Sequence, residues 1–208
     1  FCLGHKSETI INYFLKDKKN NSKIIKKSKK HITFFFKTNS INFKGDLIFT
    51  GIKTGTGGRM LESYKRLNMK NDFIMTYGDG LSNVNIKKLI NFHYKNKSQI
   101  TLTAVRPKQR YGILKLQKNK VKFFDNSKKK SDVYINGGYF VINKDAIKKI
   151  KNKNIYWEKE PLSFFLKKKK LYAYKHEGFW KSLDTLKDKN DFNEMIEKNK
   201  MPWKNIQN

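Results

Sequence analysis

Phe73-Ile74-Met75-Thr76-Tyr77-Gly78-Asp79-Gly80 is an apolar run of strand length that stops at a carboxylate set between two glycines. It reads as a buried strand over 73–76 followed by a turn. In open α/β sheets ligands bind just beyond the carboxyl ends of strands, so Asp79 stands where a functional carboxylate belongs. A plainer reading also holds: Gly-Asp-Gly is ordinary turn sequence, and Asp79 could serve only as an Asx-turn residue.

Helical and strand patterns alternate on both sides of this stretch. Upstream, a helix over 59–67 is fed by Thr54-Gly55-Thr56-Gly57-Gly58-Arg59, with short strands expected at 32–36 and 47–49. Lysine-rich residues 16–30 read as a surface loop. Ser7 and Glu8, with Ile10, Ile11 and Phe14 at helical spacing, predict a capped amphipathic helix. Phe1-Cys2-Leu3-Gly4 reads as the end of a buried strand, so at least one element is expected upstream of Phe1. Downstream come a helix (86–94), a strand (100–105), a hairpin (111–124), a strand (135–142) and a helix (146–150). A helix (161–165), a strand (171–174) and a final helix after Leu183-Asp184-Thr185 complete the reading. The alternation predicts an α/β layered domain with a mostly parallel central sheet. Its 208 residues suit one domain spanning 1–208.

Composition narrows the function classes. Lysine and arginine total 47 against 17 acids, a formal charge of +30, yet 38% of the chain is hydrophobic and 14% aromatic, which excludes a disordered basic tail. The arginines are Arg59, Arg66, Arg106 and Arg110; the other bases are lysines. Lysine tracts give salt-sensitive, sequence-blind attraction, whereas specific readers of nucleic acid use arginine forks. No specific nucleic-acid partner is expected, and the lysine, asparagine and isoleucine bias suits codon usage filling permissive surface positions. The single cysteine, Cys2, rules out an internal disulfide framework and suits a reducing, cytoplasmic setting. The longest apolar runs, such as 32–36, are too short to span a membrane.

Four further constellations could carry chemistry. The glycines of Thr54-Gly55-Thr56-Gly57-Gly58-Arg59 could let backbone amides approach an anion at a helix N-terminus, although neither the P-loop nor the dinucleotide fingerprint is met; a flexible turn is the plainer reading. Asp184 could be a helix N-cap or, if the fold brings it opposite Asp79, half of a magnesium clamp. Asn136-Gly137-Gly138 inside a strand is a ligand platform or a β-bulge. Trp157-Glu158 offers a carboxylate to sugar hydroxyls, or acidic residues at a helix start. His5, His31, His93 and His176 show no ligand spacing, and no nucleophilic triad stands out.

In order and spacing, Thr54-Gly55-Thr56-Gly57-Gly58-Arg59, Thr76-Tyr77-Gly78-Asp79-Gly80, Ile135-Asn136-Gly137-Gly138-Tyr139-Phe140-Val141, Trp157-Glu158-Lys159-Glu160-Pro161-Leu162 and Gly178-Phe179-Trp180 through Asp184-Thr185-Leu186 resemble the glucose-1-phosphate cytidylyltransferases, a family of sugar-phosphate nucleotidyltransferases. The resemblance implies a nucleotide-diphospho-sugar transferase (Rossmann-like) fold, three-layered around a mostly parallel mixed sheet. It implies CDP-glucose and pyrophosphate made from CTP and glucose 1-phosphate with Mg2+, and self-association into a homo-oligomer with no membrane partner. By the same resemblance Thr54, Arg59 and Gly78 contact the nucleotide, Asp79 and Asp184 hold magnesium, and Arg59, Asp79 and Asp184 form the catalytic set. Lys129, Asn136, Gly137 and Glu158 are implied for the sugar phosphate. The family's Glu-Lys-Pro-Lys stands here as Asn126-Ser127-Lys128-Lys129, so its first lysine falls on Ser127. The family's first strand and Gly-x-Gly-Thr-Arg loop are expected before Phe1, and residues 1–208 alone are expected to be nearly inactive. The alternatives are a sister enzyme using UTP or dTTP, and a non-catalytic basic binding module on the same fold.

Overall fold

The computed structural model describes residues 1–17, 21–37, 42–107, 113–125 and 133–204. The chain begins with β1 (Cys2–Leu3), α1 (Ser7–Leu15), β2 (Asn21–Ser28), β3 (His31–Lys37), β4 (Asn42–Phe49) and α2 (Thr56–Arg66). Next are β5 (Phe73–Thr76), β6 (Gly80–Ser82), α3 (Ile86–Lys95), β7 (Ile100–Val105), β8 (Ile113–Gln117), β9 (Lys120–Asp125) and β10 (Ile135–Ile142). Then come α4 (Glu160–Lys167), β11 (Leu171–His176), β12 (Trp180–Ser182) and α5 (Leu186–Glu197), with 3-10 turns at Ala146–Lys149 and Pro202–Lys204. Two compact units result: Phe1–Asn71 with Lys144–Lys168, and Asp72–Asn143 with Lys169–Asn208.

The first unit is built on a sheet of order β1-β4-β3-β2, with β1 parallel to β4 and the other pairings antiparallel. Alternation along β3 turns Ile32, Phe34 and Phe36 to one face, where they bury with Leu3, Leu47 and Phe14 of α1. The Phe14 ring sits 5.2 Å from Phe34 and 5.4 Å from Phe36, centroid to centroid. Each such side chain contributes roughly 1.5–3 kcal/mol on burial.

Two expectations for this unit need correction. Residues 21–28 are not loop but the edge strand β2, paired along its length with β3. Lysines are tolerated on an edge strand, where one side faces water. Ser7 does not cap α1; Lys6 occupies the N-cap with φ 51°, and no side chain caps the helix.

In the second unit the sheet order is β11-β7-β10-β5. β11 is parallel to β7, while β10 runs antiparallel to both β7 and β5. The mixed α/β class is as expected, but among the described residues only β1–β4 and β7–β11 are parallel pairings. β5 lies at a sheet edge with Ile74 44% exposed, so it is half-buried rather than buried as its composition suggests. Asn85 caps α3 by accepting from the Lys88 N–H, and α3 buries Leu89 and His93. The helix expected at 146–150 is only the 3-10 turn at Ala146–Lys149.

Candidate active site

The turn after β5 delivers the chain into a two-stranded ribbon that local sequence does not announce. β6 pairs antiparallel with β12, setting Gly80 opposite Ser182 and Ser82 opposite Trp180. One step beyond that register, the Leu183 N–H donates to the Asp79 carbonyl at 2.7 Å. Asp79 and Asp184 therefore flank the same end of one ribbon, although 104 positions separate them in the chain. Both side chains are exposed, and Asp184 accepts a 2.7 Å hydrogen bond from the Ser182 hydroxyl.

The capping role that Asp184 might have filled belongs to its neighbour. Thr185 is the N-cap of α5, in a reciprocal capping box with Asp188. Lys181, on the opposite face of β12 from Trp180 and Ser182, pairs with Asp191 and lies 3.8 Å from Asp188. Alternation along β12 thus sends its cation to α5 and leaves Trp180 and Ser182 to the other side.

On that side is a hollow of about 30 Å³ lined by Thr76, Asp79, Gly80, Asn136, Trp180 and Ser182, together with Tyr77, Gly137 and Gly138. Its floor is a bulge in β10, where the register against β7 shifts between Asn136 and Phe140. Asn136 Oδ1 accepts from the Gly138 N–H at 2.9 Å. Gly138 has φ +79°, which favours glycine, and a Cβ on Gly137 would lie 2.8 Å from Val105 Cγ1. The bulge reading of Asn136-Gly137-Gly138 is what the backbone shows, and these three residues line the hollow at its floor.

Two aromatic residues to which sequence reasoning gave no role lock the ribbon onto this floor. Trp180 Nε1–H donates to the Gly137 carbonyl at 2.8 Å, and the Tyr139 hydroxyl donates to the Gly80 carbonyl at 3.0 Å. Burial pushes the Tyr139 phenol above its ordinary range, so it stays a neutral donor. The available signal was the placement of polar-tipped aromatics beside glycines in both motifs.

Gly78 is the one glycine among those described at which a built Cβ meets nothing within 4 Å, so beyond its chain neighbours no atom of the described residues requires its small size.

In the first unit the glycine-rich loop has a different use from the one its sequence suggests. Gly55 N–H donates to the Lys153 carbonyl at 3.0 Å, and Gly57 and Gly58 N–H donate to the Ile155 carbonyl at 3.1 and 3.3 Å. A Cβ on Gly55 would fall 2.4 Å from the Ile155 carbonyl oxygen, and one on Gly58 2.0 Å from that of Lys153. These glycines permit close backbone packing, and their amides are satisfied within the chain.

Thr54 and Arg59 also carry internal bonds. The Thr54 hydroxyl donates to the Thr50 carbonyl at 2.5 Å. Arg59 Nη1 donates to the Leu3 carbonyl at 3.1 Å and to Thr50 Oγ1 at 2.7 Å, and Nη2 donates to the Ile52 carbonyl at 3.2 Å. Glu158 is exposed, is not the N-cap of α4, and accepts from the Thr56 hydroxyl at 2.7 Å; Thr56 Oγ1 in turn accepts from the Trp157 N–H. Lys129 and the Asn126-Ser127-Lys128-Lys129 segment lie outside the described residues.

Among the described residues no three His, Cys, Asp or Glu side chains gather as a metal cage. Two exposed aspartates beside an open hollow fit magnesium better than a closed structural metal, because magnesium takes one or two carboxylates and fills its shell with water and phosphate oxygens. No helix among the described residues is long and apolar enough to cross a membrane.

The chain is 39% identical over 158 residues to a glucose-1-phosphate cytidylyltransferase of Salmonella typhi, a match covering 76% of this chain and 62% of that protein. It thus spans less than two thirds of that relative's length. To a Bacillus subtilis (strain 168) protein named a probable glucose-1-phosphate cytidylyltransferase it is 33% identical over 204 residues, 97% of this chain and 79% of the relative. The crystal structure of HddC from Yersinia pseudotuberculosis superposes with a TM-score of 0.63 over 94% of this chain and 76% of that one; at 21% identity it shows a shared fold. No protein-family model matches the chain.

Proposed function

This chain belongs to the glucose-1-phosphate cytidylyltransferase family, and from that premise we propose that its protein transfers a cytidylyl group from CTP to α-D-glucose 1-phosphate. The observation that supports this most is that the β6–β12 pairing sets Asp79 and Asp184 at the same end of one ribbon, with Asp79 lining the hollow floored by the β10 bulge. Residues 1–208 are read as one nucleotidyltransferase domain.

The reaction needs no side-chain nucleophile. An oxygen of the sugar phosphate attacks the α-phosphorus of CTP in line, the new P–O bond forms, and the bond to the β-phosphate oxygen breaks to release pyrophosphate. The attacking phosphate is already an anion at neutral pH, so no general base has to remove a proton. The protein's task is to position the two phosphates and to offset their charge. Asp79 and Asp184 hold magnesium, which supplies neutralisation of phosphate charge when bound. Gly78 leaves open space for the nucleotide, and the family resemblance assigns nucleotide contacts to Thr54 and Arg59 as well. Asn136, Gly137, Glu158 and Lys129 serve the sugar phosphate. The +30 charge steers polyanionic CTP, an effect that weakens as salt rises.

A nucleotide panel tests this reading. Pyrophosphate release with glucose 1-phosphate and magnesium is expected to be fastest with CTP and to fall sharply in Asp79→Asn. Faster turnover with UTP, dTTP or GTP would move the assignment to a sister sugar-1-phosphate nucleotidyltransferase. Oligonucleotide binding without any turnover would favour a basic binding module.

A further inference from the structure

An open surface depression of about 430 Å³ lies in the first unit, against the C-terminal turn of α2 and the 3-10 turn at Ala146–Lys149. It shares no residue with the hollow at Asp79, and its size is that of a small-molecule site rather than of an ion or a water. Lys65, Lys70, Lys144 and Lys148 line it, and Asp145 is the one carboxylate among its lining residues.

Local structure keeps that charge in place. A helix C-terminus normally presents bare carbonyls that would offset nearby cations. Here the Leu67, Asn68 and Met69 N–H groups turn back onto the Ser63, Lys65 and Tyr64 carbonyls, with Asn68 in the left-handed region at φ 47°. Glu62 is committed to Arg66 and Lys153, at 3.1 and 3.2 Å. Among the described residues no carboxylate lies within ion-pair distance of the Lys65 or Lys70 ammonium. Lys148 is held at the rim by Asp145, 2.6 Å away. Tyr64 and Met69 add apolar wall beside the cations.

We propose that this depression binds the di- or triphosphate chain of a small phosphorylated molecule, separately from any substrate bound by the aspartate hollow. Mobile ammonium groups around a concave wall suit a flexible chain of phosphates, which needs charge more than fixed fork geometry. The volume also admits a ring attached to that chain, so a nucleotide and inorganic polyphosphate are the two sources.

Calorimetric titration of the protein with inorganic tripolyphosphate and with ATP, in EDTA and at near-physiological salt, tests the proposal without metal at the aspartates. Saturable one-site binding is expected, weakened about tenfold in Lys65→Ser/Lys70→Ser. Lys26→Ser/Lys27→Ser removes the same charge from exposed positions on β2 and is expected to change affinity less than about twofold. ATP binding tighter than tripolyphosphate would assign the nucleotide as ligand, and equal binding would assign the phosphate chain alone. Absence of saturable binding, or equal weakening in both double variants with unchanged thermal midpoints, would overturn the site and leave only diffuse lysine attraction.

Discussion

The Leu183 N–H lies 2.7 Å from the Asp79 carbonyl oxygen, and this bond extends the β6–β12 register by one step so that Asp184 follows directly. Both side chains are exposed, Asp184 accepting from the Ser182 hydroxyl. Asp79→Asn and Asp184→Asn should each lower magnesium-dependent turnover by about a hundredfold or more, since an amide cannot replace the anionic charge. Stability should move by less than about 0.5 kcal/mol, because neither side chain is buried. Urea denaturation beside steady-state assays separates the two effects.

Gly78 and Gly138 should respond oppositely to alanine. At Gly138 the backbone has φ +79° and the new methyl would press on the Tyr77 ring, so Gly138→Ala is expected to cost about 1–3 kcal/mol of stability. Gly78→Ala has open space around it and should leave the urea midpoint unchanged while raising KM for the nucleotide. An unchanged KM would remove Gly78 from the nucleotide contacts.

Arg59 is predicted to brace the fold whatever it does for substrate. Removing its bonds to the Leu3 and Ile52 carbonyls and to Thr50 Oγ1 in Arg59→Met should destabilise the protein by about 1–3 kcal/mol. Thermal melts without nucleotide check this, since loss of a purely ligand-binding arginine would leave the melt where it was.

His93 makes stability depend on mildly acid pH. Burial lowers its pKa below the ordinary 6.5, a nearby Asp72 opposing only in part. His93 is 1% exposed and its Nδ1 is 2.9 Å from the Thr101 hydroxyl, which itself donates to Ser98 Oγ. Nδ1 is therefore assigned the proton, and Nε2 has no hydrogen-bond partner among the described residues. Because the unfolded chain takes up the proton more readily, this contribution to stability is complete above pH 6.5. It falls as pH drops from there through the lowered folded value. Urea midpoints between pH 7.5 and 5.5 should decrease, and His93→Gln should flatten that particular slope.

The strands at 73–76, 100–105 and 135–142 were legible in the sequence because apolar periodicity and glycine punctuation mark their ends locally. β2 was not, since its Lys23, Lys26 and Lys27 read as loop and its strand state comes from the ladder supplied by β3. Asp79 could be singled out from its place after an apolar strand. That Asp184 lies at the same ribbon end could not, because β6 and β12 are three-residue strands whose pairing is purely long-range. The glycines at 55, 57 and 58 were visible as a special loop, but a glycine admits a ligand and a neighbouring carbonyl equally well, and only the fold shows that the 153–155 backbone fills the space.

The most direct measurement follows CDP-glucose formation from CTP and glucose 1-phosphate by 31P NMR, using the native protein with magnesium and its Asp184→Asn variant. Equal build-up of CDP-glucose and pyrophosphate in the native protein, suppressed in the variant, is the predicted result. A folded native protein that forms no CDP-glucose, or a variant that forms it as fast, would contradict the assignment of Asp79 and Asp184 as the catalytic pair.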